Sequence, residues 1–217
     1  MLARQEHTNK AEYSAWLLPA VDEVLSGAKV KMEQIDLLAV ATGPGSFTGL
    51  RVGLTTVKAW SEVYGKPIAG VSRLEAMARS DGATSQELVV ACYNAQRGQL
   101  FAGLYERRPN LMQRVGDELV VSPEEFLEYI DERAGGRAVA WISLDPEMVT
   151  DLEIFKRRVD QGDTIHACPP ELANMIGFLG EERAARGDLS DPLALDANYV
   201  RRSDAEIFWK GPGSNVR

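Results

Sequence analysis

Between residues 8 and 26 apolar side chains return every three or four positions. Tyr13, Trp16, Leu17, Ala20, Val21 and Val24 fall on one stripe, which predicts an amphipathic helix. Pro19 sits inside this pattern, where it removes a backbone donor and crowds the carbonyl of Ala15, so a kink or a restart is expected. Gly27 is placed to cap the carboxyl end. Leu18 and Leu25 fall off the stripe and give the helix a second apolar side. The pattern then changes. Residues 35 to 41 form a nearly continuous apolar run of strand length, as in a parallel strand covered on both faces. A glycine-rich loop follows, then a second helix from about residue 48 to 64. Residues 66 to 71 read as a short strand entered through a Gly-Lys-Pro turn, and residues 74 to 79 as a helix. This alternation is the rhythm of an α/β unit with a parallel sheet.

Residues 81 to 85 are short, polar and glycine-containing, and mark a boundary between units at 1–83 and 84–217. Beyond it, residues 88 to 93 and 99 to 105 read as strands joined through Asn94-Ala95-Gln96-Arg97-Gly98, and 119 to 121 as a third. Ser122-Pro123-Glu124-Glu125 then opens a helix, with Ser122 as cap, Pro123 in the first position and acids at the positive end. Residues 138 to 142 predict a strand and 170 to 186 a late helix. The tail from 188 to 217 is rich in turn residues.

Composition narrows the function classes. Lys and Arg number 24 and Asp and Glu 32, a net charge of −8, whereas a free-standing nucleic-acid binder usually carries a basic excess. No apolar run reaches membrane-spanning length and the amino terminus has no apolar core of a signal peptide, so a cytoplasmic protein is expected. Cys92 and Cys168 are too far apart for a CxxC motif; they could pair with each other, but two buried free thiols are the commoner case in a cytosolic chain.

The strand–glycine loop–helix at residues 35 to 64 is the stretch that suggests chemistry. Glycines allow a sharp turn and close approach of a ligand, and the helix end offers free N–H groups to an anion. Gly43, Gly45, Ser46, Thr48, Gly49 and Arg51 are the candidate residues. The named phosphate motifs do not fit. Leu50, not Lys, follows Gly49, and three residues rather than two separate Gly45 from Gly49. Nor is this a nucleophile elbow, since Pro44 stands in its first glycine position. Arg51 lies in the first turn of the helix, where the dipole disfavours a cation. The other reading is a tight structural connection, with Ser46 or Thr48 as the helix cap. His7 and His166 are the only histidines and form no helical metal pair, and no carboxylate pair stands out as acid and base.

The segments Glu6-His7-Thr8, Leu18-Pro19 and Gly43-Pro44-Gly45-Ser46-Phe47-Thr48-Gly49-Leu50-Arg51-Val52-Gly53 together resemble the TsaB (YeaZ) family. Gly70-Val71-Ser72, Leu74-Glu75-Ala76-Met77-Ala78 and the tail Tyr199-Val200-Arg201-Arg202-Ser203-Asp204-Ala205-Glu206 extend the resemblance. It implies an actin-like, Hsp70-like and sugar-kinase-like (ribonuclease H-like) α/β fold with two subdomains. It further implies a non-catalytic subunit that supports TsaD, which acts with TsaE to place a threonylcarbamoyl group on the adenosine beside the anticodon of tRNA. ATP and metal are then expected in the partner subunits and none in this chain alone. tRNA is met only indirectly, and a homodimer forms when TsaD is absent. The expected partner surface is Tyr13, Trp16, Leu18, Leu25, Leu54, Val57 and Trp60 on the first two helices. The alternative is a nucleotide- or phosphate-binding enzyme of the actin and sugar-kinase type using the glycine loop.

Two departures from the family pattern stand out. Members usually carry Asp-Ala-Arg before a Gly-Glu pair, where this chain has Asn94-Ala95-Gln96 and Gly98-Gln99. Members also carry β-strands ahead of the Glu-His-Thr segment. The resemblance therefore leads to the expectation that Met1 is not the native start and that the strand at 35 to 41 lacks a neighbour.

Overall fold

The computed structural model describes residues 1–7, 12–80, 85–109 and 111–200. The boundary expected at 81 to 85 falls almost wholly outside them, as do residues 8 to 11 of the first predicted helix and the tail beyond 200.

Helix α1 spans Tyr13–Ala28 and contains Pro19 without restarting. Its end is not at Gly27. Lys29 takes the left-handed conformation (φ 56°), and Val30 N–H reaches back to Leu25 O at 3.0 Å. After a single 3-10 turn at Met32–Gln34, β1 (Leu38–Gly43) leads through the glycine loop into α2 (Phe47–Tyr64). β2 (Ile68–Ser72) and α3 (Arg73–Ser80) follow. β1 and β2 pair in parallel, Leu38 against Ile68 through Ala41 against Val71, as the continuous apolar runs predict. They form a two-stranded sheet. Leu38 N–H bonds Pro67 O, so the backbone groups of Ala39 and Ala41 face away from β2.

The second sheet has the order β5-β4-β3-β6-β7. β3 (Leu88–Gln96), β4 (Gln99–Arg108) and β5 (Leu111–Val121) form an antiparallel meander, and β6 (Val139–Ser143) and β7 (Thr164–Ala167) add parallel to β3. α4 (Pro123–Ala134) opens on a capping box between Ser122 and Glu125. With α5 (Glu147–Thr150) and α6 (Glu153–Asp160) it covers one face, burying Phe126, Ile130, Trp141, Val149 and Phe155 together. The other face packs on α3 through Leu74, Met77 and Ala78. α3 therefore touches both sheets and joins them.

The packing does not follow a division at residue 83. α7 (Ala173–Ala185) lies on the β1–β2 sheet, where Gly180 comes so close that a Cβ would stand 2.8 Å from that of Ala39. Ser190 bridges to Ile68, and Leu195 and Ala197 join Leu38, Leu54 and Ile68 in the core on the opposite face. The chain thus returns to its first sheet, closing the junction between the two with residues 195 to 200. Among the described residues no helix is long and apolar enough to cross a membrane.

Candidate functional site

The end of β1, the start of α2 and the loops of the second sheet enclose a cleft of about 660 Å³. Pro44, Gly45, Ser46 and Phe47 form one wall. Arg73, Tyr93, Asn94, Asp145 and Cys168 stand opposite, and Asn198, Tyr199 and Val200 complete it. Among the loop glycines only Gly43 has left-handed backbone, with φ +118°. A Cβ there would meet Asn198 O at 3.0 Å, so a side chain is excluded twice over. Gly45 and Gly49 carry no such requirement.

Ser46 is the helix cap, its Oγ accepting from Gly49 N–H at 3.3 Å, while Thr48 is exposed inside the helix and does not cap. The loop is tied across the cleft by Tyr93, whose hydroxyl donates to Pro44 O at 2.5 Å. Burial pushes the Tyr93 phenol up to about 12, against the lowering effect of nearby Arg73, so it remains a donor. Arg73 lies over the Tyr93 ring at 4.4 Å, and its guanidinium is 4.0 Å from where a Gly45 Cβ would be. Asp145 accepts from Asn94 N–H at 2.8 Å and fixes the β3–β4 turn, in which Gln96 and Arg97 have positive φ. The hairpin expected at Asn94 to Gly98 is present.

Arg51 does not face this cleft. It lines a groove of about 350 Å³ between α1 and α2 with Leu17, Leu18 and Val52. Its Nε donates to the Tyr199 hydroxyl at 3.1 Å, and its guanidinium lies 5.8 Å from the Phe47 and Tyr199 ring centroids. Those rings stack on one another at 4.8 Å. These aromatic faces offset part of the unfavourable helix dipole here.

A second polar cluster sits where the sheets meet. Glu118, 7% exposed, accepts from Ser72, Tyr105 and Asn198. The Tyr105 bond is 2.7 Å. Ser72 also caps α3, accepting from Leu74 N–H at 3.1 Å. Glu75 pairs with Arg183 at 2.6 Å. Burial nevertheless holds Glu75 above the usual carboxylate value, with Glu118 adding repulsion. Burial likewise pushes Cys92 up to about 12 and raises Cys168, and both thiols are free.

The expected partner surface divides. Tyr13 and Leu18 are 46% and 55% exposed, and Trp16, Leu25 and Trp60 are half-buried. The His7 ring lies tilted against Tyr13 and edge-on to Trp16, with centroids 4.7 and 5.0 Å away. Leu54 and Val57 do not belong there. Helical periodicity turns them, with Ser61, onto β1, where they are buried in the core. Phe47, Arg73, Tyr93, Asp145, Glu118 and Asn198 were not singled out from the sequence. Their roles come from pairings far apart in the chain, which local spacing does not announce.

A family model described as TsaD: tRNA N6-adenosine threonylcarbamoyltransferase matches residues 3–158. The tRNA threonylcarbamoyladenosine biosynthesis protein TsaB of Bacillus subtilis is 31% identical over 92% of this chain and 84% of its own length. Its counterpart in Escherichia coli is 32% identical over 62% of this chain and 56% of itself. A tRNA N6-adenosine threonylcarbamoyltransferase of Protochlamydia amoebophila is 45% identical over 28% of this chain and 18% of its own length. Among solved structures, YeaZ from Pseudomonas aeruginosa superposes with a TM-score of 0.64 at 22% identity, covering 86% of this chain and 84% of that one. The α/β fold is thus the actin-like one expected.

Proposed function

The chain belongs to the TsaB family of tRNA threonylcarbamoyladenosine biosynthesis proteins, and from that premise we propose that it is a supporting subunit. It docks on a TsaD-type threonylcarbamoyltransferase through the outer faces of α1 and α2 and does no chemistry itself. One observation carries this reading. α1 has apolar residues on two sides, yet Ala20 is its only buried residue. Leu18 stands between two grooves, the one lined by Leu17, Arg51 and Val52 and another of about 410 Å³ lined by Leu25, Trp60 and Tyr64. Contiguous apolar surface on a helix pair is the usual mark of an interaction site.

The same face pairs two copies when the transferase is absent. TsaE, ATP and metal enter through the partner side, in the cytoplasm, and tRNA is held by the partners. The net charge of −8 supports that division of labour. The glycine loop's internal contacts support it too, because Ser46 caps α2 and Tyr93 takes Pro44 O.

The test is reconstitution with purified TsaD and TsaE subunits, ATP, threonylcarbamoyl adenylate as the group donor and unmodified tRNA, reading the modified nucleoside by mass. This chain alone yields none, and its addition raises the yield of the other two. ATP hydrolysis by this chain alone, abolished by Arg73→Ala, would instead favour a nucleotide-using enzyme at the cleft.

A further inference from the structure

Residues 195 to 200 form a strap that touches every part of the junction. Leu195 and Ala197 are anchored in the core under β1 and β2. Asn198 N–H donates to Thr42 O at 2.7 Å, and its side chain donates to Glu118 of the second sheet. Val200 packs against the core that contains Tyr93 and Phe101. Tyr199 faces the other way, stacked on Phe47 at the start of α2 and accepting from Arg51. The strap is thus a wall of the cleft and, through Arg51, a neighbour of the groove between α1 and α2.

We propose that the Arg51–Tyr199 pair carries occupancy of the α1–α2 face to the wall of the cleft. This rests on the reading of that face as the docking surface. In the free chain the Arg51–Tyr199 bond is exposed, so water competes with it and weakens it. A partner seated on the groove excludes that water and lowers the local dielectric, which strengthens the bond. A firmer Tyr199 holds Phe47, and with it the loop at 43 to 49. It also holds Asn198 on Thr42. Linkage requires the reverse as well, since whatever stiffens the strap favours docking by the same factor.

The test is hydrogen exchange of the full chain, alone and saturated with the TsaD subunit, for wild type and Tyr199→Phe. Phenylalanine keeps the stack on Phe47 and removes only the hydroxyl that Arg51 reaches. Wild type should show docking as slower exchange in 13–28 and 51–64. It should also show about five-fold slower exchange at 42–50 and 194–200, the factor one ordinary hydrogen bond corresponds to. In Tyr199→Phe the slowing of α1 and α2 should remain while that of loop and strap disappears. Equal slowing in both proteins, or no slowing or faster exchange at the strap of docked wild type, overturns the proposal. A complex that leaves α1 and α2 unprotected overturns the docking reading itself, and different peptides report it.

Discussion

Replacing Glu118 by Gln tests whether the junction between the sheets is locked as described. The carboxylate is nearly inaccessible and accepts three hydrogen bonds, from Ser72, Tyr105 and Asn198. Hydrogen bonds to a charged acceptor contribute about 1.5–3 kcal/mol each, against about 0.5–1.5 for neutral ones. Glutamine keeps one carbonyl oxygen for Ser72 and Tyr105 but turns an NH₂ group toward the NH₂ of Asn198. One bond is lost or forces an amide flip, and two are weakened. Removing the charge also relieves repulsion on Glu75, which offsets part of the loss. The net expectation is about 2–3 kcal/mol of destabilisation. For a chain of this size that lowers the melting temperature by about 4–12 °C. Thermal melts by circular dichroism read the shift. A double-mutant cycle with Asn198→Ala reads the coupling, which should be non-additive because the two residues touch. A melting temperature unchanged within about 1 °C, or additive effects, would refute the junction.

Two further perturbations bear on the loop and on pH. Ser46→Ala removes the α2 cap and should cost about 1 kcal/mol in melting experiments while leaving tRNA modification by the assembled complex unchanged. Loss of modification at an unchanged melting point would mean that the loop contacts a ligand. Glu75 has its folded-state carboxyl raised above its ordinary value of 4.5, chiefly by burial. Near and above 4.5 the folded chain therefore binds more protons at this site than the unfolded one. Wild type should gain stability relative to Glu75→Gln as the pH falls from 7 toward 4.5, and a loss of wild-type stability relative to the variant over that range contradicts the assignment.

Much of the architecture was legible because it is written locally. The continuous apolar runs gave β1, β2 and β3, and the Ser122 box gave the start of α4 to the residue. β5 was anticipated only at 119 to 121. Its first eight residues, from Leu111 to Glu118, carry Gln113, Arg114, Asp117 and Glu118, and as an edge strand it buries few of its residues, so it lacks the apolar signal. α5 and β7 were missed because each is only four residues long, and α6 because Ile154, Phe155 and Val159 are its only apolar residues and set no clear period. The candidate site was legible by half. The loop string points to Gly43 and Ser46, whereas Arg51 and Tyr199 meet across 148 positions. Leu54 and Val57 show the opposite error. An apolar residue on a helix can face a partner or its own sheet, and only the neighbouring strand decides which.

The central claim is that α1 and α2 present the surface that meets the transferase, and Leu18 is the residue to change. Its side chain is 55% exposed, so Leu18→Glu should leave the free chain's stability within about 0.5 kcal/mol. A carboxylate buried without a partner in an apolar interface costs on the order of 3–5 kcal/mol, a factor of a hundred or more in affinity. Isothermal titration of the purified TsaD subunit into wild-type and Leu18→Glu chains should give clear binding for the first and none for the second, with overlapping melts. Equal affinities for the two proteins would contradict the account.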